Sequence, residues 1–260
     1  MSGSQAPIPE ALADALARAR FVAALTGAGI SAESGVPTFR DTLTGLWAKY
    51  DPTQLATPGA FARNPKLVWD WYAMRRAMIG RVEPNPGHRA LATIEQCVPR
   101  FLLATQNVDG LHQRAGSVDV AELHGNITRV KCSREGTPVA HWEEPADAQP
   151  PRCTACGAYL RPDTVWFEEM LPPDALAEAE DAARHCDVLL VVGTAAEVYP
   201  AAALPHYARA CGAMVVEINP QSTALSADVA HALRGPAGVV LPALVAATWP
   251  PMNRETSPPA

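Results

Sequence analysis

No run of apolar residues in this 260-residue sequence approaches the ~20 that a membrane-spanning helix needs, and no membrane partner is expected. The first residues, MSGSQAPIPE, contain neither a basic nor an apolar leader segment, which points to a cytoplasmic protein. Lysine is scarce, at three of 21 basic residues, no Lys/Arg run occurs, and the net charge is −6. That balance argues against a nucleic-acid partner. With 48% hydrophobic and 18% charged residues, the chain can build one large globular domain, or a large domain and a small one.

Cysteine is limited to six residues. Cys97, Cys186 and Cys211 stand alone among apolar neighbours and read as buried thiols. Cys132, Cys153 and Cys156 fall close together, and in a cytoplasmic protein such clustering suggests metal before disulfide.

Helical patterning is expected over 9–19, 65–79, 86–95, 173–185 and 201–210, four of these stretches opening on a proline. Short apolar runs at 21–25, 101–104, 187–192 and 214–218 read as strands, and a short helix follows the loop at 106–116. Strands alternating with helices favour a parallel α/β sheet. Residues 131–162 break this rhythm with clustered cysteines and prolines, and read as a small loop-rich module inserted into a larger domain formed by 9–130 and 163–248. The last residues, 249–260, read as a disordered tail.

The first strand runs into Gly27-Ala28-Gly29-Ile30-Ser31-Ala32, which fits the G-x-G-x-x-G/A dinucleotide pattern. Glycines let a pyrophosphate approach the backbone, and a following helix N-terminus would offer it unpaired N–H groups. The usual partner, a strand-end acid about 20 residues downstream, is missing. Its absence argues against a standard hydride-transfer dehydrogenase.

Further motifs follow in order. The stretch from Gly27 to Arg40 resembles the GAGIS-x-x-SG-x-P-x-FR signature of the sirtuins, NAD-dependent protein lysine deacylases. Thr105 to His112 is similar to their TQN-[IV]-DGLH loop, and Leu123-His124-Gly125 to the strand end bearing their catalytic histidine. Gly193-Thr194 with Val198 and Pro200, Ile218-Asn219-Pro220, and Arg234 to Gly238 resemble later motifs on the nucleotide side. The resemblance spans about residues 10–246. Within it, the Tyr-x-x-Arg pair described below resembles the bacterial class that removes succinyl and malonyl groups.

The resemblance implies a doubly wound, Rossmann-like sheet with a smaller zinc-ribbon-like module, and NAD as cosubstrate. The products would be nicotinamide, O-acyl-ADP-ribose and free lysine, and the partners acylated-lysine proteins. It implies NAD contacts from Gly27, Ala28, Gly29, Ser31, Phe39, Arg40, Gln106, Asn107, Asp109, Gly193, Thr194, Asn219 and Ala237. Phe39 would shield the ribose and Arg40 hold the phosphate region. Asn107 and Asp109 would bond ribose and carboxamide groups, and His124 would be the general base that activates a ribose hydroxyl. A histidine near its ordinary pKa of ~6.5 suits that task. Rival readings are an NAD hydrolase or ADP-ribosyltransferase using the same pocket, and a non-enzymatic NAD-sensing module.

Tyr72 and Arg75 stand three apart, on one face of a helix. A phenol beside an arginine fork suits a carboxylate, and Val165 and Phe167 would line the same acyl site. Against this, Asp41 to Trp47 form the longer segment associated with ordinary deacetylases, so both acyl types stay open.

Cys153-Thr-Ala-Cys156 is half of a structural zinc site of the sirtuin kind. The other half, Cys132-Ser-Arg-Glu135, lacks its second cysteine. Three thiolates with Glu135 or His141 could hold zinc, or packing alone could hold the module; a redox pair is the remaining alternative. Two more departures stand out: Glu168 where the family has the glycine of Phe-Gly-Glu, and Ala195 where it has the serine of Gly-Thr-Ser.

Overall fold

The computed structural model describes residues 7–37, 55–143 and 149–250. Six parallel strands form the main sheet: β1 (Phe21–Thr26), β2 (Arg100–Thr105), β3 (Val120–Glu122), β7 (Val188–Val192), β8 (Met214–Ile218) and β9 (His231–Leu233). Their order is β3-β2-β1-β7-β8-β9. The chain winds outward from β1 in one direction, then returns and winds outward in the other, which makes the sheet doubly wound. All six residues of β1 are buried, as in a central parallel strand covered on both faces.

Alternation along β1 distributes its side chains to two cores. Val22 and Ala24 pack with α1 (Glu10–Arg18), α4 (Pro86–Cys97) and α8 (Ala237–Thr248), whereas Phe21, Ala23 and Leu25 pack with α6 (Pro173–His185) and α7 (Leu204–Ala210). No helix among the described residues is long and apolar enough to cross a membrane.

A second sheet of three antiparallel strands, in the order β5-β4-β6, comprises β4 (Gly125–Cys132), β5 (Pro138–Val139) and β6 (Leu160–Thr164). It begins directly after His124. Gly125 makes this entry possible: its φ is +73°, and a Cβ there would lie 2.2 Å from the Asp163 carbonyl oxygen. Helices α2 (Pro58–Arg63) and α3 (Pro65–Ile79) pack with this sheet through Phe61, Trp71, Tyr72, Ile127 and Trp166. Trp69, one turn along α3, reaches Cys132 and Cys153 instead. The short α5 (Leu111–Arg114) completes the loop after β2.

Three expectations need correction. The chain after the glycines forms two 3-10 turns, Ala28–Ile30 and Ala32–Ser34, not an α-helix. Cys97 and Cys211 are exposed, because they end α4 and α7 where solvent reaches; Cys186 is buried as expected. Trp249 belongs to no tail, since it packs against the α8 core, while residues 251–260 lie outside the described residues.

Candidate active site

The two halves of the main sheet diverge between β1 and β7, and a crevice at the C-terminal ends of such strands is where doubly wound sheets bind ligands. The glycine loop sits there. Gly27 and Gly29 donate to the carbonyls of Val192 and Gly193 at 3.0 and 2.8 Å, so the loops after β1 and β7 meet backbone to backbone. Gly193 has φ +60°, and a Cβ on it would stand 2.4 Å from the Ile30 nitrogen. These glycines thus join two loops across the reversal point, whatever else approaches them.

Ser31, at the end of the first 3-10 turn, is 1% exposed and is the node of a buried network. Its hydroxyl donates to Asp109 Oδ2 at 2.7 Å and accepts from Asn107 Nδ2 at 3.1 Å. His88 Nε2 lies 3.3 Å from the same oxygen. Asn85 N–H donates to His88 Nδ1, so the neutral ring carries its proton on Nε2 and donates to Ser31. Burial pushes His88 down to about 4. Burial also raises the Asp109 carboxyl, opposed by hydrogen bonds from Leu111 N–H and Ser31.

Asn107 donates its amide hydrogens to Ser31 and to the Gly27 carbonyl, at 3.1 Å each. Beneath it, Thr26 Oγ1 bonds Thr105 Oγ1 at 2.8 Å and His112 Nε2 at 2.9 Å. His112 is 1% exposed and pushed down to about 3, first by burial and then by His88, whose ring centroid is 4.9 Å away.

His124 is half-buried at the strand end leading into β4. Its Nδ1 is 2.9 Å from the Gln106 carbonyl. A carbonyl oxygen only accepts, so Nδ1 carries the proton and Nε2 is the basic nitrogen. Burial lowers the ring's pKa; the Gln106 bond opposes that shift. Gln106 in turn donates to Thr194 Oγ1 at 3.0 Å, and Asn219 Nδ2 donates to the Thr194 carbonyl at 3.2 Å. Ala237 borders Gly87, where a Cβ would meet the Ala237 carbonyl carbon at 3.0 Å, and Gly238 N–H donates to Glu33 at 2.6 Å. Phe39, Arg40 and the segment 41–47 lie outside the described residues.

On the other side of His124, its carbonyl accepts from Val165 N–H at 2.9 Å, and Phe167 N–H donates to Ala56 at 2.9 Å. Val165 is half-buried and Phe167 is 44% exposed. Between them Trp166 turns inward, and its Nε1–H donates to Tyr72 Oη at 2.9 Å. Tyr72 and Arg75 are both buried in α3, and Arg75 borders a small cavity with Val36, Pro37, Met78 and Ile79. Burial raises the Tyr72 phenol and lowers the Arg75 guanidinium, while Tyr72 and Asp109 act on Arg75 in the opposite direction. Both groups thus favour the charged form of Arg75 against its burial. Glu168 adopts φ +74°, and Ala196, next to Ala195, φ +51°. Such conformations in residues other than glycine gather at functional sites.

The Sγ atoms of Cys132, Cys153 and Cys156 all lie within 4.8 Å of one another, with Cys132 and Cys156 3.4 Å apart. Tetrahedral zinc with bonds of ~2.3 Å places sulfurs about 3.8 Å apart, so the three thiols fit. Backbone N–H groups of Glu135 and Arg134 lower the Cys132 pKa by bonding its sulfur. Neither Glu135 nor His141, both exposed, joins the group.

His88 and Asn85 have no place in the expected set, although Asn85-Pro86 is a clear helix start. Asn85 caps α4, Pro86 is its first residue, and the His88 side chain closes the capping box. That signal locates His88 in the first turn of α4 without showing that the turn faces Ser31.

A glycine-joined reversal point, ringed by buried hydrogen-bonding side chains, defines a nucleotide-binding protein of the doubly wound α/β class. The Sir2 family model matches residues 27–200, and the chain belongs to that family. It is 52% identical over 248 residues to an NAD-dependent protein deacylase of Ralstonia nicotianae, covering 92% of this chain and 98% of the relative. The solved complex of a Sir2 homologue with NAD superposes with a TM-score of 0.87 at 44% identity, covering 94% of each chain. A Sir2 protein bound to an acetylated peptide superposes with a TM-score of 0.80 at 30% identity, covering 89% of this chain and 94% of that one.

Proposed function

We propose that this chain is an NAD-dependent protein lysine deacylase with His124 as its general base, and that its acyl pocket favours chains ending in a carboxylate. The observation that carries the first part is the Gln106–His124 bond, which leaves the basic Nε2 for the reaction. When bound, NAD supplies the ribose carbon to which the acyl-lysine oxygen bonds as nicotinamide leaves. An amide oxygen is a weak nucleophile, so the pocket must supply orientation.

Asn107 spends both amide hydrogens inside the protein, which leaves its Oδ1 to accept from a ribose hydroxyl or a carboxamide N–H. Asp109 is fixed by Ser31 and Leu111, and shares the Ser31 hydroxyl with Asn107. His124 Nε2 then takes the proton of a ribose hydroxyl, and its charge is stabilised through Nδ1–H by the Gln106 carbonyl. Gly27, Ala28, Gly29, Gly193, Thr194, Asn219 and Ala237 form the nucleotide side of the cleft. Cys132, Cys153 and Cys156 hold a structural zinc, distant from the chemistry; metal analysis of the purified protein tests this.

Buried Tyr72 and Arg75 support the acyl part. A desolvated guanidinium gains from an incoming carboxylate, and Val165 and Phe167 flank the approach. The test incubates the protein with NAD and matched acetyl- and succinyl-lysine peptides, followed by mass spectrometry. Succinyl removal should dominate and should collapse in Arg75→Met. NAD loss with neither peptide changed would overturn the deacylase reading in favour of a hydrolase. Equal or better acetyl removal, unaffected by Arg75→Met, would overturn the carboxylate reading alone.

A further inference from the structure

Trp166 takes no part in the reaction as drawn, yet it is among the most firmly held side chains near the acyl site. It is 2% exposed, and its indole N–H donates to Tyr72 Oη at 2.9 Å. Indole nitrogen is a donor only, so the phenol oxygen must be the acceptor in that bond. The phenolic proton is thereby turned away from Trp166, toward the acyl site and the buried Thr164 hydroxyl, which interacts with the same phenol and is the acceptor an acyl carboxylate would displace.

The indole cannot swing easily. Arg161 stacks over its ring at 3.3 Å, and that guanidinium is itself buried and forked onto Glu169 at 2.5 and 2.9 Å. Glu169 Oε2 also accepts from the Trp166 backbone N–H at 2.8 Å, and Phe61 packs on the ring at a centroid distance of 5.3 Å. Arg161 donates further to the Thr164 carbonyl at 2.8 Å. A cation, a carboxylate and an aromatic ring therefore fix one N–H bond, and that bond fixes Tyr72.

We propose that Trp166 is a positioning residue for acyl specificity: by occupying the Tyr72 oxygen as a donor, it directs the phenolic O–H toward the acyl carboxylate held beside Arg75. This rests on the carboxylate reading of the pocket. Trp166→Phe keeps an aromatic ring and removes the donor. It should raise KM for succinyl-lysine peptide roughly three- to ten-fold, the worth of one hydrogen bond, while kcat and the acetyl-lysine parameters stay within about two-fold. On a Tyr72→Phe background the same substitution should add nothing.

Equal changes for both peptides, or no change for either, would overturn the role of Trp166. A wild-type enzyme with no succinyl preference would instead overturn the carboxylate reading and this inference with it. Should Trp166→Phe fail to fold, the indole ¹⁵N–¹H resonance of Trp166 in the intact enzyme decides. It should shift on adding succinyl-lysine peptide with NAD absent, and far less with the acetyl peptide; no difference between the two would overturn the proposal.

Discussion

The Ser31 hydroxyl donates to the Asp109 carboxylate at 2.7 Å, joining the glycine loop after β1 to the loop after β2. Because Ser31 also accepts from Asn107 and His88, one oxygen holds three side chains of the site. Ser31→Ala leaves all three without that partner in a buried setting. Such losses cost about 1–3 kcal/mol, and NAD affinity should fall because the Asn107 amide loses one of its two anchors. Urea denaturation and calorimetric NAD titration check this; unchanged stability and affinity would contradict it.

His124 has its pKa pushed below the ordinary histidine range by burial. Its base form therefore prevails throughout neutral pH. The plot of kcat/KM against pH should be flat there and fall only on the acid side of ~6.5. His124→Ala should lose most activity and that acid limb together. A limb that persists in the residual activity would assign it to another group.

His88 and His112, held near 4 and 3, make the fold acid-sensitive. Both values lie below the ~6.5 of an unfolded histidine, so below that pH the unfolded chain binds protons that the folded one refuses. Stability is complete above ~6.5 and falls as pH drops toward 4, by about 1.4 kcal/mol per pH unit for each histidine. His88→Gln should lessen this slope, measured as urea midpoint against pH. A slope unchanged by the substitution would contradict the assignment.

Much of this architecture is legible along the chain because it is local. Pro65, Pro86 and Pro173 each open a helix, and the apolar runs at β1, β7 and β8 are buried strands. The glycine loop meets Asn107 and Asp109 on one side and Gly193 on the other through hydrogen bonds. What stays hidden depends on contacts between distant segments. His88 meets Ser31 across 57 positions, and Trp166 meets Tyr72 across 94. Neither has a periodicity or spacing to announce it. The 3-10 turns after Gly27 are equally opaque: they pack against Gly193, more than 160 positions along the chain.

Glu168 holds φ +74° where the resemblance places a glycine. A left-handed conformation costs a side-chain-bearing residue roughly 1–2 kcal/mol, and glycine gives back roughly 0.5–1 through unfolded-state entropy. Glu168→Gly is thus expected to be neutral to stabilising by about 1 kcal/mol, read by denaturant midpoint. Clear destabilisation would show that the Glu168 side chain makes a compensating contact.

The most direct test of the whole account counts products in one reaction with succinyl-lysine peptide and NAD. If the cleft couples NAD cleavage to acyl transfer, nicotinamide and free lysine form in equal amounts, the acyl group is recovered on ADP-ribose, and His124→Ala depresses both products together. Nicotinamide released with the peptide untouched would contradict it.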